Sequence, residues 1–444
     1  MAAAFYKKRD LLGVIASMEK LNDTVISSSN PTSVISAEVL GDCQELAIEI
    51  GTFLETEGDR YVHIVRILEA YCEGIYQLSM VLTDAYESRR IAREIQGVLI
   101  ELADRIKQDL PKDKKEVVFL PYKASMWDSL ESVWMAADAD PDCDAYVIPI
   151  PYFDRNSDGS FGEMHWDGDL YPSYVPITSW LEYDIPERRP DIIFFHNPYD
   201  DLNFVISVHP AFYASELYKH TDQLVYIPYF VGINDTVPDR LITLNGVLYA
   251  HKVIVQSENV KQDYIKAIRK LEKEHNCEGM YGDIENKILP LGSPKYDKVM
   301  GSKAEDYDIP EEWARLIVRE DGTRKKVILY NTTVHTLLNT DEKMITKIEN
   351  VLKVFRANDD VVLLWRPHPL YKETISSMRE RLLSEYTRIE KEYIEGGWGI
   401  YDDTADLNRA IALSDAYYGD WSSVVDLYKK TGKPIMIQDV NILE

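Results

Sequence analysis

The chain is poor in cysteine and in positive charge, and it has no long apolar run. Its four cysteines, Cys43, Cys72, Cys143 and Cys277, lie far apart with no C-x-x-C pair. That argues against a zinc knuckle or a disulfide framework and suits a reducing compartment. Lysine and arginine number 49 against 75 aspartates and glutamates, a formal net charge of -26. Such a chain repels nucleic acid, whose phosphates call for a stripe of basic residues, so no nucleic-acid partner is expected. It repels phosphorylated substrates too, so a phosphate-bearing ligand must be held locally, by backbone N–H groups and a few placed cations. Nowhere do about 18 apolar residues follow one another, which excludes a membrane-spanning helix. Met1 to Asp10 starts apolar and turns basic only at Lys7, Lys8 and Arg9, the wrong order for a secretory signal. The expectation is a cytoplasmic protein with at most peripheral membrane contact. Also missing are G-x-G-x-x-G, G-x-x-x-x-G-K-[ST] and G-x-S-x-G, which removes most support for an ATPase, a simple dehydrogenase or a serine hydrolase.

What is present is an ordinary globular composition, 45% hydrophobic and 28% charged, over 444 residues, enough for two or three domains. Residues 61–107 contain no proline. Their apolar residues recur at helical spacing, through Ile64, Ile67, Leu68, Tyr71, Ile75, Leu78 and Leu82, then Ile91, Ile95, Val98, Leu99, Leu102 and Ile106. Leu110-Pro111 ends this region, because proline disfavours helix in the residue before it. The stripe reads as a packing face, with a dimerising or partner-binding hairpin as the sharper alternative. After Lys115 the pattern changes to short apolar runs separated by helical stretches. The runs lie at 117–120, 146–150, 192–195, 224–227, 253–255, 288–291, 327–330, 361–365, 416–418 and 435–437. Continuous apolar strands between helices predict parallel sheets covered on both faces. The division that follows is a helical region over 1–113 and α/β lobes over 114–300 and 301–444, with 301–307 as the polar linker.

In open parallel sheets ligands bind beyond the carboxyl ends of the strands, so the residues after each run are the candidates. Gly419 to Asp426 (GDWSSVVD) reads as a strand, a turn and a helix. Ser422 and Ser423 stand at that helix's N-terminus, where free N–H groups favour an anion; the plain alternative is that Asp420 or Ser422 caps the helix. Arg366 and His368 follow another run in R-P-H-P. Arg366 is a natural fork for phosphate, and His368 a hydrogen-bonding or protonating partner for a leaving phosphate. Asn331 and Thr332 end a third run. Gly292-Ser293-Pro294-Lys295 makes a tight turn that aims Lys295 at the cleft between lobes. In the first lobe His196 and His209 flank Asp200 and Asp201. No H-x-x-x-H or H-E-x-x-H spacing joins them, so substrate contact or plain structure is expected there rather than a metal.

Taken in order, the second-lobe motifs resemble those of the CDP-glycerol glycerophosphotransferase family, the teichoic acid primases and polymerases. Gly292-Ser293-Pro294-Lys295-Tyr296-Asp297 is similar to the family's G-x-P-R-x-D turn, and Leu329-Tyr330-Asn331-Thr332-Thr333 to its L-Y-x-P-T strand end. Arg366-Pro367-His368-Pro369 resembles its histidine-proline element. Ser414-Asp415 with Gly419 to Asp426 resembles S-D-x-x-x-T-D-Y-S-S-x-x-x-D, and Gly432-Lys433-Pro434 the strand that follows. The likeness spans about 289–437.

The resemblance implies a GT-B-like pair of Rossmann-like lobes, with the donor nucleotide held by the second. Ser422 and Ser423 would hold the donor's pyrophosphate together with Arg366, and His368 would stand by the phosphate. Asp426 would support the loop or reach the donor's hydroxyls, and Asp420, Lys295, Asn331 and Thr332 complete the donor-side set. The family's first-lobe W-H-G-T-P element, which supplies a histidine proposed as the base, is absent: the corresponding strand ends in Ile227-Pro228-Tyr229-Phe230. His196 or His209 would have to take its place. The chain stops at Glu444, shortly after its last run, where GT-B-like proteins add a helix crossing back to the first lobe.

The implied reaction is transfer of glycerol phosphate, or a related phospho-polyol, from a CDP-linked donor to a hydroxyl of a cell-surface glycan or lipid-linked precursor. The residues require no metal; Mg2+ is compatible with them but unsupported. Peripheral membrane association and a homo-oligomer through the N-terminal helices are further expectations. Two other readings stay open. One is a UDP-sugar glycosyltransferase or epimerase-like enzyme on the same fold. The other is a catalytically reduced scaffold that binds a partner through its helices.

Overall fold

The computed structural model describes residues 7–156, 158–404 and 406–438. The apolar start of the chain and its last residues, on which two of the expectations above bear, lie outside them. The chain divides into two compact units, Met1–Lys114 and Lys115–Glu444.

The first unit is built from helices α1 (Lys8–Ser27), α2 (Ala37–Thr56), α3 (Val62–Met80) and α4 (Ala85–Asp109). The long apolar stripe is broken where Asp84 takes non-helical backbone angles and accepts from the N–H groups of Tyr86 and Glu87, capping α4. Ile64, Leu68, Tyr71, Ile75 and Leu78 of α3, and Ile91, Ile95, Leu99, Leu102 and Ile106 of α4, are all buried in one core. A buried polar tie joins α1 to α4: Asn22 Nδ2 donates to Ala92 O at 2.7 Å and to Gln96 Oε1 at 2.8 Å. No helix among the described residues is long and apolar enough to cross a membrane.

The second unit is α/β. Its strands are β1 (Lys115–Leu120), β2 (Cys143–Val147), β3 (Tyr152–Arg155), β4 (Phe161–His165), β5 (Ile192–Phe195), β6 (Ile206–Val208), β7 (Gln223–Tyr226), β8 (Lys252–Ile254) and β9 (Ile288–Leu289). The chain continues through β10 (Lys326–Thr332), β11 (Val361–Pro367), β12 (Ile400–Tyr401), β13 (Ala416–Gly419) and β14 (Ile435–Ile437). One parallel sheet runs β2-β1-β5-β7-β8-β9, a second runs β12-β11-β10-β13-β14, and β4-β3-β6 form a small antiparallel sheet. After their first residues β1 and β11 are buried without a break, as expected of strands covered on both faces, while β5 and β13 alternate half-buried and buried positions. The antiparallel sheet is formed by segments of three to five residues with mixed polarity and carries no such run, so the sequence pattern does not predict it.

Between the two parallel sheets stands the helix Pro294–Gly301, whose proline occupies its first turn, where a missing N–H costs nothing. It is bonded to both sides. Lys295 Nζ reaches Asp128 Oδ1 and Oδ2 at 2.5 and 2.6 Å, and Asp297 accepts from Ser132 Oγ at 2.7 Å. On the far side the Lys430 ammonium lies 4.2 Å from the centre of the Tyr296 ring. The turn-and-lysine motif is therefore the wedge that holds the two sheets together, and Asp128 binds Asn408 of the second sheet's side as well, at 3.1 Å.

Candidate functional site

In a doubly wound sheet the crevice opens where the strand order reverses. In the second sheet that place lies between β10 and β13. Asn331 pairs in register with Arg366 on one side and Gly419 on the other, and Thr332 pairs with Pro367. The loops that leave these strands are then tied to β10: His368 N–H donates to Thr332 O at 2.9 Å, and Asp420 N–H to Asn331 O at 3.0 Å. Gly419 has φ +145°, and a Cβ there would stand 2.4 Å from Asn331 O, so this close approach demands glycine.

The Asn331 side chain links the two loops. Its Nδ2 donates to Arg366 O at 2.9 Å, and its Oδ1 accepts from Ser422 Oγ at 3.2 Å and from Tyr417 OH at 3.4 Å. Ser422 Oγ also accepts from Val424 N–H at 3.2 Å and so caps the short helix Ser423–Tyr428. Of the two readings of Ser422, the cap is the one its hydrogen bonds take. Ser423 is half-buried beside it.

Asp420 points inward. Its Oδ2 accepts from Thr333 N–H at 2.7 Å and Thr333 Oγ1 at 3.2 Å, and its Oδ1 from the Lys347 ammonium. The Lys347 and Asp420 side chains are both 0% exposed. Arg366 is likewise engaged: Nη1 meets Asp402 Oδ2 at 2.5 Å and Nη2 donates to Thr404 O at 2.7 Å, so a phosphate would have to compete with a buried carboxylate for this fork. Asp426 accepts from Asn234 N–H of the first sheet's side at 3.1 Å and from Lys429 at 2.9 Å. It joins the sides rather than facing open space.

His368 differs from these. It is exposed, and its Nδ1 accepts from Leu370 N–H at 3.1 Å. With Nδ1 accepting, the neutral ring carries its proton on Nε2, as a donor. Desolvation by the surrounding chain lowers its pKa, which favours that neutral form.

In the first sheet the order reverses between β1 and β5, and His196 follows β5. It is 0% exposed. Its Nε2 accepts from Tyr122 N–H at 3.1 Å, and Nδ1 is 2.8 Å from Ser129 Oγ. Both nitrogens are thus taken, and burial pushes its pKa down to about 3; it has no nitrogen to offer an acceptor hydroxyl. His209 sits among Phe153, Trp180 and Phe212, with Nδ1 accepting from Ala211 N–H at 3.2 Å, and burial lowers its pKa. Tyr229, in the place of the absent histidine element, meets the Tyr199 hydroxyl at 3.0 Å.

The structure therefore gathers Asn331, Thr332, Arg366, His368, Asp420, Ser422 and Ser423 at one sheet edge. It sets Lys295 and Asp426 at the boundary between the sheets, and leaves His196 and His209 on the other side. Reading the sequence alone misses Lys347 and Asp402. Lys347 had a signal: it lies on the buried face of the helix Glu342–Arg356 with Met344, Ile348 and Val351, where a lysine is out of place. Asp402 follows a two-residue strand that carries no pattern. Among the described residues, metal-ligating atoms cluster at Asp154, Glu163 and His165 on the antiparallel sheet, not at this edge.

Residues 244–442 match the family model described as CDP-Glycerol:Poly(glycerophosphate) glycerophosphotransferase. No curated protein matches. Among solved structures, a putative UDP-N-acetylglucosamine 2-epimerase from Listeria monocytogenes is similar at 14% identity and TM-score 0.44, over 74% of this chain and 81% of that one. The wall teichoic acid polymerase TagF is similar at 15% identity and TM-score 0.40, over 79% and 78%. The Methanocaldococcus jannaschii UDP-GlcNAc 2-epimerase is similar at 11% identity and TM-score 0.41, over 73% and 83%. At these scores the structural likenesses carry no weight for function. The family match spans every second-lobe site residue named above: residues 244–442 are similar to the CDP-glycerol:poly(glycerophosphate) glycerophosphotransferases.

Proposed function

We propose that the chain transfers glycerol phosphate, or a related phospho-polyol, from a CDP-linked donor to a hydroxyl of a cell-surface glycan or teichoic-acid-like precursor. The second sheet's edge takes the donor. The acceptor hydroxyl oxygen attacks the polyol-bearing phosphorus and gives its proton to solvent, the bond from that phosphorus to the bridging oxygen breaks, and CMP leaves with that electron pair. The observation that carries the reading is His368. Within the matched segment it is the exposed member of a cluster whose other charged groups, Arg366 and Asp420, are already engaged. Its Nε2–H is the donor suited to the phosphate oxygen on which charge builds.

Ser422 caps the following helix and ties its loop to Asn331, beside the His368 loop tied to Thr332, and so presents Ser423 and that loop to the donor's diphosphate. Arg366 contributes its charge while holding the 402–404 turn, and Lys295 and Asp426 set the spacing of the two sheets. His196 and His209 receive no role as base, because each already accepts a backbone N–H bond. We place the reaction at the cytoplasmic face of the membrane, with the helical unit free to serve self-association.

The test is calorimetric titration with CDP-glycerol, CDP-ribitol, UDP-GlcNAc, CMP and UMP. Tight binding of the cytidine ligands is expected. A preference for uridine ligands would move the case to sugar chemistry, and no binding of any ligand would leave a scaffold.

A further inference from the structure

The fully buried Lys347–Asp420 pair calls for a physical reason. Replacing a buried ion pair by well-packed apolar side chains is often neutral or stabilising, and the neighbours of Lys347 on its helix, Met344, Ile348 and Val351, are buried apolar residues of that kind. What an apolar side chain cannot do is fix loops by direction. The Lys347 ammonium donates to Asp420 Oδ1, just beyond β13, and to Gln438 O, just beyond β14, at 2.8 Å. The other oxygen of Asp420 holds Thr333, just beyond β10, through its N–H and its hydroxyl. These strands are neighbours, in the order β10-β13-β14. One charge thus pins the carboxyl ends of three adjacent strands, next to the segment that carries Ser422 and Ser423.

We infer that Lys347 is a positioning residue for the donor site: acting through Asp420, it sets the 419–423 loop in the geometry that donor binding needs. The inference rests on the donor reading above. Lys347 touches no substrate; its effect passes through the loop. Two consequences separate this role from plain stabilisation. Donor affinity depends on Lys347 at temperatures where the variant is fully folded, and removing the charge from either partner has the same direction of effect.

The experiment is calorimetric titration of the full chain and of Lys347→Met with CDP-glycerol, well below the melting temperature of each as followed by circular dichroism. The expected result is a Kd for CDP-glycerol raised by about tenfold or more in the folded variant, a loss of about 1.4 kcal/mol in binding. A lowered melting temperature with Kd within about twofold of the unsubstituted chain would overturn the inference and leave Lys347 a stabilising residue. If Lys347→Met does not fold, Asp420→Asn decides by the same thresholds, since it keeps the side chain's shape and an oxygen for Thr333. Failure of the unsubstituted chain to bind CDP-glycerol strikes the functional reading itself. Binding by the unsubstituted chain with equal binding by the variant strikes only the role given to Lys347.

Discussion

The two parallel sheets meet the same problem at their switch points and solve it by different chemistry. Behind β5, in the first, a neutral histidine is the fastener: His196 takes the Tyr122 N–H and pairs with Ser129 inside the protein. Behind β10, β11 and β13, in the second, the fasteners are buried charges, Arg366 with Asp402 and Lys347 with Asp420, and the histidine, His368, is left outside them. Both histidines directly follow a parallel apolar strand and precede or flank proline, so the local pattern is alike. What differs is the company each keeps. Where charged groups already satisfy the strand ends, a histidine is free for chemistry; where they do not, the histidine is used up in holding the fold.

The comparison can be broken first at its charged end. Arg366→Ala takes the nearest cation from the buried Asp402 carboxylate, leaving it Thr404 and the Arg409 guanidinium at 3.6 Å, and is expected to cost up to about 3–5 kcal/mol of stability in urea titration. A cost below about 1 kcal/mol would mean that the pair is not what holds this edge.

His196→Asn comes next, at about 2–4 kcal/mol near neutral pH, from orphaned partners and an unfilled space. Its pH dependence sharpens the point. The folded pKa of His196, about 3, lies below the ordinary value of about 6.5 for an unfolded chain, so the unfolded state binds more protons between them. This group's stabilisation is present above pH ~6.5 and falls by about 1.4 kcal/mol per pH unit as the pH drops toward ~3. Asp200 works the other way. Burial raises its pKa to about 6, and its contribution is full below about pH 4 and lost as the pH rises through 6. Both variants keep Asp200, so the difference between the unsubstituted chain and His196→Asn isolates the histidine, and that difference should shrink with acid. A difference constant from pH 7.5 to 4.5 would show that His196 is not buried neutral.

The smallest effect on stability is expected at His368→Ala, within about 0.5 kcal/mol for an exposed position, and there the transfer activity should vanish. Unchanged transfer would remove the role assigned to His368 and with it the contrast between the two histidines.

Much of the fold was legible because parallel strands covered on both faces are written as continuous apolar runs. The run at 192–195 is β5 and the run at 435–437 is β14, and β10 and β11 extend their runs by only a few residues at either end. The small antiparallel sheet was not legible, since Tyr152–Arg155 and Phe161–His165 are four- and five-residue segments of mixed polarity with neither a continuous apolar run nor an alternation. At the site, strand-end position was enough to select Asn331, Arg366, His368 and the 419–423 loop. It was not enough to tell which of them face outward. Asp420 and Arg366 look like ligand contacts in the sequence, yet their partners, Lys347 and Asp402, stand 73 and 36 residues away.

The sequence by itself determined the alternation of strand and helix, the parallel sheets and the family likeness of residues 244–442, because burial on both faces and tight strand-to-helix turns leave local signatures. Tertiary structure alone decided which polar side chains are spent inside. A carboxylate or an imidazole is committed or free according to the groups that packing brings within about 3 Å of it, and those groups come from distant parts of the chain.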